Sequence, residues 1–334
     1  MKYKSKRFFI ENFSAEKLAD KFGTPSYCYS YEKIREKIEI FKKSFKKINP
    51  LICFAVKSNT NKEILKEIER FGLGADVVSM GELMKALKSG IKPTKIVFSG
   101  VGKTSNEINF AIKKKILLIN AESESEIKEI DRIAKIKNRK VKIGIRLNPN
   151  TDAKTLKQIS TGKKENKFGV SENIFLDLVK YIKNSNHLVL KCLSVHIGSQ
   201  ILNHAPYEKM LKVIKRIINK TKFKFEYIDL GGGMGIDYEN KNRRLNLNRY
   251  SKSIRKILTG NKSKIIFEPG RSIIGNSGFL ISKVIYIKEG HKKDFVILDA
   301  AMNDLMRPAL YGALHRTLAV TKSLKISRKQ YEFV

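Results

Sequence analysis

Ile52-Cys53-Phe54-Ala55-Val56-Lys57 is a short apolar run that opens a βα unit, because a helix-forming stretch follows it over residues 61–71. The unit recurs along the chain. Strands are expected at 52–56, 75–78, 95–98, 116–120, 141–147, 190–196, 225–230 and 264–268, with helices between them such as 207–219. Short strands alternating with helical stretches are the pattern of crossovers on a parallel sheet. Eight such units over roughly 250 residues fit a closed (β/α)8 barrel better than an open doubly wound sheet. After Pro269 the pattern changes, and 278–286, 295–299 and 314–320 read as strands with no helices between them. The expected fold is α/β: a (β/α)8 TIM barrel over 29–275, followed by a second, β-rich domain built from 1–28 and 276–334 and incomplete at the C-terminus.

The 334 residues are enough to bury a core of that size. With 42% hydrophobic residues and no run of the about 18 apolar residues that cross a bilayer, no membrane partner is expected. The basic start loses its apolar run at Glu11, too early for a secretory signal, so a cytoplasmic location is expected. Cys28, Cys53 and Cys192 are far apart, lack metal-ligand spacing and lie in apolar stretches; they read as reduced core thiols, with neither disulfide nor zinc. The net charge of +36 raises nucleic-acid binding as a rival function, because phosphate neutralisation dominates such affinity. The lysines, however, spread over nearly every expected helix, as at 32–47 and 107–115, and no helix-turn-helix, zinc-finger or aromatic RNA-binding signature accompanies them. They read as a solvated surface, and no nucleic-acid partner is expected.

Barrel enzymes carry their reactive groups at the C-terminal ends of the strands. In the first strand, alternation sets Cys53, Ala55 and Lys57 against the bulkier Ile52, Phe54 and Val56, so Lys57 points inward at the strand's end. Burial there is expected to lower its pKa and supply a free amine able to form an imine with an aldehyde. Cys192, Ser194 and His196 alternate in the same way, as do Gly144 and Arg146, and small inward residues leave room for a ligand. Gly231-Gly232-Gly233-Met234-Gly235 follows the seventh strand and offers a backbone N–H nest for an anion. It is no dinucleotide fingerprint, because Ile236 stands where the last glycine is required, and Gly102-Lys103-Thr104 is no P-loop, because Val97 fills its first glycine position. Neither NAD nor ATP is expected. The eighth strand ends in Glu268-Pro269-Gly270-Arg271, whose inward carboxylate needs a cationic partner. An inward lysine, a phosphate nest and a carboxylate for a ring nitrogen together describe a pyridoxal-phosphate site.

On these residues the chain resembles the diaminopimelate decarboxylase family, of the alanine-racemase-like, fold-type III class of pyridoxal-phosphate enzymes. The segments that carry the resemblance are Phe54-Ala55-Val56-Lys57-Ser58-Asn59, Gly74-Ala75-Asp76-Val77-Val78-Ser79, His196-Ile197-Gly198-Ser199-Gln200, Gly231-Gly232-Gly233, Glu268-Pro269-Gly270-Arg271 and Asn303-Asp304-Leu305-Met306-Arg307-Pro308-Ala309-Leu310-Tyr311. The resemblance implies a carboxy-lyase that converts meso-2,6-diaminopimelate to L-lysine and carbon dioxide, the last step of lysine biosynthesis. It implies that Lys57 holds pyridoxal 5'-phosphate covalently, that His196 stacks on its ring and that Glu268 pairs with its nitrogen. Asp76 and Arg146 then lie beside the cofactor, and Ser199, Gly232, Gly233, Pro269, Gly270 and Arg271 surround its phosphate. Arg271, Arg307 and Tyr311 are implied to hold substrate carboxylates, and a homodimer with shared active sites is implied as the assembly. The family's Cys-Glu-Ser motif, which carries its proton donor, does not occur before Val334, so a C-terminally truncated chain of reduced activity is expected. Alternatives within the class are ornithine, arginine or carboxynorspermidine decarboxylases and a racemase, and the segment from Arg307 to Tyr311 favours the diaminopimelate-type substrate.

Overall fold

The structure is a computed structural model that describes residues 2–155, 159–238, 243–322 and 331–334. Its centre is a closed barrel of eight parallel strands: Leu51–Ala55, Gly74–Val77, Ile96–Phe98, Leu118–Ala121, Val141–Arg146, Leu188–Ser194, Tyr227–Asp229 and Lys264–Phe267. The last closes on the first through Ile266 opposite Leu51 and Phe267 opposite Ile52. All eight expected strands are present, but several stop a residue or two early. The first is an example: Val56–Ser58 leaves the ladder as a 3-10 turn, held by the Ser58 hydroxyl on the Ala55 carbonyl at 2.7 Å. Chain departing from a ladder needs substitute hydrogen bonds, and side chains provide them here.

Helices start where the sequence supplies caps. Asn61 accepts from the N–H groups of Glu63 and Ile64 to open Lys62–Arg70, and Thr104 with Glu107 forms a reciprocal capping box for Ser105–Lys114. Cys53, Val97, Leu118, Cys192 and Ile266 form a buried cluster contributed by five strands. A second, aromatic layer joins Phe267 to the helices, with Phe45 at 4.4 Å and Tyr250 at 6.0 Å between ring centroids. Each fully buried side chain of this size contributes about 1.5–3 kcal/mol.

The chain divides into two compact units, 1–35 with 237–242 and 276–334, and 36–236 with 243–275, the second of which holds the barrel. In the first unit, Lys2–Lys4, Arg7–Ile10 and Phe13–Ser14 form an antiparallel sheet, and Gly278–Ile281 pairs antiparallel with Ser26–Tyr29. Val284–Lys288 and Asp294–Leu298 pair antiparallel, and Tyr331–Phe333 joins the latter in parallel. Two expectations change here. The stretch 278–286 is two strands in different sheets, and 314–320 forms no strand. Leu314 and Leu318 remain 70% and 37% exposed, and only the end of the stretch meets a sheet, where Val320 packs on the cluster of Phe8 and Ile10 and accepts from Phe8 N–H at 2.8 Å. A helix unanticipated from the sequence, Arg307–Tyr311, ends at Gly312 with φ +58°. Among the described residues no helix is long and apolar enough to cross a membrane.

Candidate active site

The barrel strands deliver polar side chains to one mouth, each in phase with the small or apolar residue two positions before it. Lys57 Nζ lies 3.0 Å from Asp76 Oδ2 at the end of the second strand, and the lysine side chain keeps half its surface open. Burial pulls the ammonium's pKa down, but Asp76 and Glu268 outweigh it and leave Lys57 above its ordinary value. This corrects the sequence expectation of a lowered lysine: the carboxylates come from other strands, and a single-strand reading omits them.

Asp76 is fully buried, and its Oδ1 has no hydrogen-bond partner among the described residues. Glu268 accepts from the Ser99 hydroxyl at 3.3 Å, and its N–H donates to the Gly231 carbonyl at 2.8 Å. Burial and the neighbouring Asp229 push the Glu268 carboxyl well above its usual range, while Asp229 itself is pushed up to about 6, chiefly by burial. Three carboxyls therefore lie close together, and Lys57 answers one of them directly.

His196 accepts at Nδ1 from the Gly232 N–H at 3.1 Å, which leaves any proton of the neutral ring on Nε2. Burial, then Arg146 and Lys57, push its pKa well down, so the ring is neutral. Arg146 forms an ion pair with Glu122 at 2.8 Å, reaches the His196 carbonyl at 3.4 Å and lies 4.9 Å from the Phe168 ring centroid. Glu122 uses both oxygens: Oε1 also accepts from Gly100 N–H at 2.8 Å, and Oε2 from Gly169 N–H at 3.1 Å.

The glycine run lines the same mouth. A Cβ on Gly232 would stand 2.1 Å from the Glu268 carbonyl oxygen, and one on Gly233, at φ +84°, 2.2 Å from that of Gly198. Tyr207, fully buried, supports the run by donating to the Gly232 carbonyl at 3.1 Å. Arg271 Nε donates to Ser199 Oγ at 3.4 Å, and the Pro269 carbonyl accepts from Ala55 N–H at 3.1 Å, tying the eighth strand's end to the first. Gly270 packs against Ala55 and Ser58, with room for a Cβ only at 3.1–3.2 Å from their side chains. Lys57, Asp76, Arg146, His196, Ser199, Gly232, Gly233, Glu268, Pro269, Gly270 and Arg271 thus all belong to the barrel unit. Arg307 and Tyr311 belong to the other unit, where the Arg307 guanidinium stacks 4.5 Å over the Tyr238 ring and lies 2.9 Å from His315 Nε2.

Ser99, Asn120, Glu122, Tyr207, Asp229 and His315 were not anticipated from the sequence. For three of them the signal was there: Ser99, Asn120 and Asp229 sit two residues after Val97, Leu118 and Tyr227, residues of the apolar cluster or packed on it.

A parallel eight-stranded barrel with a lysine, a carboxylate and a glycine turn at one mouth is an arrangement suited to a pyridoxal-phosphate enzyme; of the N–H nest expected in that turn, Gly231 donates to Asp229, Gly232 to His196 and Gly235 to Ile201. The family model described as the pyridoxal binding domain of pyridoxal-dependent decarboxylases matches residues 31–275. The chain is 45% identical over 313 residues to a diaminopimelate decarboxylase of Helicobacter pylori strain J99, covering 92% of this chain and 77% of the relative. It is similar to the crystal structure of diaminopimelate decarboxylase from Helicobacter pylori complexed with L-lysine, with TM-score 0.87, 44% identity, and coverage of 90% of this chain and 76% of that one. It is also similar to the crystal structure of diaminopimelate decarboxylase from M. jannaschii in co-complex with L-lysine, with TM-score 0.93, 32% identity, and coverage of 99% of this chain and 80% of that one. The chain belongs to the diaminopimelate decarboxylase family.

Pyridoxal phosphate fits the residues present. The buried Glu268 and Asp229 carboxyls suit a cationic ring nitrogen, Asp76 Oδ1 has a free acceptor position, and Gly232 and Gly233, lacking a Cβ, let their turn pack directly on the carbonyls of Glu268 and Gly198.

Proposed function

We propose that the chain decarboxylates meso-2,6-diaminopimelate to L-lysine and carbon dioxide with pyridoxal phosphate, the last step of lysine biosynthesis. The observation that carries the reading is the convergence of Lys57 with Asp76, and of Glu268 with Asp229, at one barrel mouth. The relatives named diaminopimelate decarboxylase support the substrate. When bound, the cofactor supplies an electron sink for the pair left behind as the carboxylate departs. Lys57 would hold it covalently, with Asp76 steadying the lysine's proton. Neutral His196 would lie against the ring face, held there by the Gly232 N–H. Glu268 would hold a proton at the ring nitrogen. Ser199, Gly232, Gly233, Gly270 and Arg271 would surround the phosphate, Pro269 would fix their turn, and Arg146 would brace His196 through its carbonyl. Arg271, Arg307 and Tyr311 would bind substrate carboxylates, for which a planar guanidinium gives bidentate register.

The test joins two measurements. The purified chain with pyridoxal phosphate should release carbon dioxide and L-lysine in equal amounts from meso-diaminopimelate; release from ornithine or arginine instead would change the substrate. Borohydride reduction and peptide mass spectrometry should place the pyridoxyl group on Lys57, and an adduct on another lysine would overturn that assignment.

A homodimer and a cytoplasmic location belong to the same reading. Support for the dimer is the strand Val284–Lys288, where Tyr286 and Ile287 are 71% and 62% exposed. Light scattering should give twice the chain mass, and cell fractionation should find the protein in the cytosol; a monomer or a membrane-bound pool would refute the respective statement.

A further inference from the structure

Asp229 stands beside Glu268 but has been given no action of its own, and it is fully buried at the end of the seventh barrel strand. A carboxylate there must be met by hydrogen bonds or charge. It accepts from Gly231 N–H at 2.9 Å, from the Asn120 amide at 3.0 Å and from the Ser194 hydroxyl at 3.5 Å. The Asn120 amide also donates to Ser99 Oγ at 3.3 Å, which leaves the Ser99 proton for Glu268 Oε1. Asp229 and Glu268 are thus the two ends of one polar chain that crosses the barrel through Asn120 and Ser99. Gly144 keeps its middle clear: a Cβ there would stand 2.2 Å from Asn120 Oδ1.

We propose that Asp229 is a positioning residue for the cofactor's ring nitrogen: acting through Glu268, its negative charge holds the proton on that nitrogen to a higher pH than Glu268 alone would. A second carboxylate in a low-dielectric interior adds its field to the first and stabilises a nearby cation further. The two carboxyls also meet directly, and burial with mutual repulsion raises the pKa of Glu268. A site that binds protons this tightly suits a cation. The other groups facing the pair are Asp76, which Lys57 answers, and the thiols Cys53 and Cys192, which burial pushes well up and so keeps neutral.

The inference rests on the cofactor reading above, and the test separates the two. In the chain loaded with pyridoxal phosphate labelled with 15N in its ring, the nitrogen's titration midpoint is followed by NMR. Asp229→Asn should lower that midpoint by about 1–3 pH units, the shift expected from a close buried charge. The double variant N120D/D229N moves the charge to the other end of the same hydrogen bond and should restore most of the shift. In the cofactor-free chain, the 13C signal of the Glu268 carboxyl should titrate at lower pH in Asp229→Asn than in the wild type. A purely structural Asp229 would change melting temperature and cofactor affinity and leave both midpoints in place, which would overturn the proposal. If the wild-type chain takes up no cofactor, the cofactor reading fails, and the Glu268 titration still decides the coupling. If Asp229→Asn does not fold, N120D/D229N carries the test, and a midpoint well below the wild type there refutes the proposal.

Discussion

Gly232→Ala is the substitution whose cost the geometry defines most closely. The added Cβ would lie 2.1 Å from the Glu268 carbonyl oxygen and 2.9 Å from its carbon, and Gly232 itself needs no positive φ, so the whole effect is overlap. Ordinary contact begins at 3.4 Å, so the two backbones must part by more than 1 Å. That movement breaks the bond from Glu268 N–H to the Gly231 carbonyl at 2.8 Å and the bond from Gly232 N–H to His196 Nδ1 at 3.1 Å. Overpacking costs about 1–3 kcal/mol and each of the two buried donors left unpaired about 1–3 kcal/mol, so a loss of about 3–9 kcal/mol is expected. Urea unfolding of the cofactor-free chain measures it, with Gly102→Ala as the control. Among the described residues no atom beyond the chain neighbours lies within 4 Å of a Cβ at Gly102, and its substitution should stay within about 0.5 kcal/mol of the wild type. Loss of His196 orientation should also weaken cofactor binding in Gly232→Ala. A variant destabilised by less than about 1 kcal/mol would show that the glycine run moves freely, and the argument for a rigid cradle would fail.

Glu268→Gln should keep cofactor binding, measured by absorbance titration, better than turnover, because the amide preserves shape and removes the charge; wild-type turnover would refute its role. Arg307→Lys should raise KM for diaminopimelate sharply in steady-state assays, since an ammonium reproduces neither the fork nor the stack over Tyr238; an unchanged KM would remove Arg307 from the substrate site. Asp229 sets a pH dependence in the cofactor-free chain. Its folded pKa of about 6 lies above the ordinary 3.8, so the folded state binds this proton more tightly, and the stability it contributes is present below pH 3.8 and lost as pH rises to about 6. Asp229→Asn should therefore stabilise the cofactor-free chain by about 1–3 kcal/mol near neutral pH and by much less at about pH 4, and an equal gain at both in urea unfolding would contradict the linkage.

The barrel was legible because its strands repeat one local signal, and the ends of the strands were legible because alternation fixes which side chains point inward. Lys57, His196 and Glu268 came from that phase argument. Asp229, Asn120 and Ser99 obey the same phase but draw no notice as single residues; what marks them is a hydrogen-bonded chain across several strands, which no local pattern contains. Lys57's raised pKa was missed for the same reason, because Asp76 and Glu268 arrive from the second and eighth strands. Arg146 was placed by phase, while its partner Glu122 lies just past the fourth strand, where alternation no longer speaks. In the other unit, alternation at 314–320 suggested a strand because a pattern records which residues could be buried together and not how much of the stretch reaches a sheet; only Val320 does.

Glu122 gathers the loops that follow the third, fourth and fifth barrel strands, since its two oxygens hold Gly100, Gly169 and Arg146 at once. Fixing a residue's backbone costs about 1–2 kcal/mol in conformational entropy, and here that ordering is already in place before any ligand arrives. Association at this mouth should therefore carry a small entropic penalty for the rim, and the amides of Gly100 and Gly169 should exchange with deuterium slowly in the cofactor-free chain, far behind those of other glycines in turns at the surface.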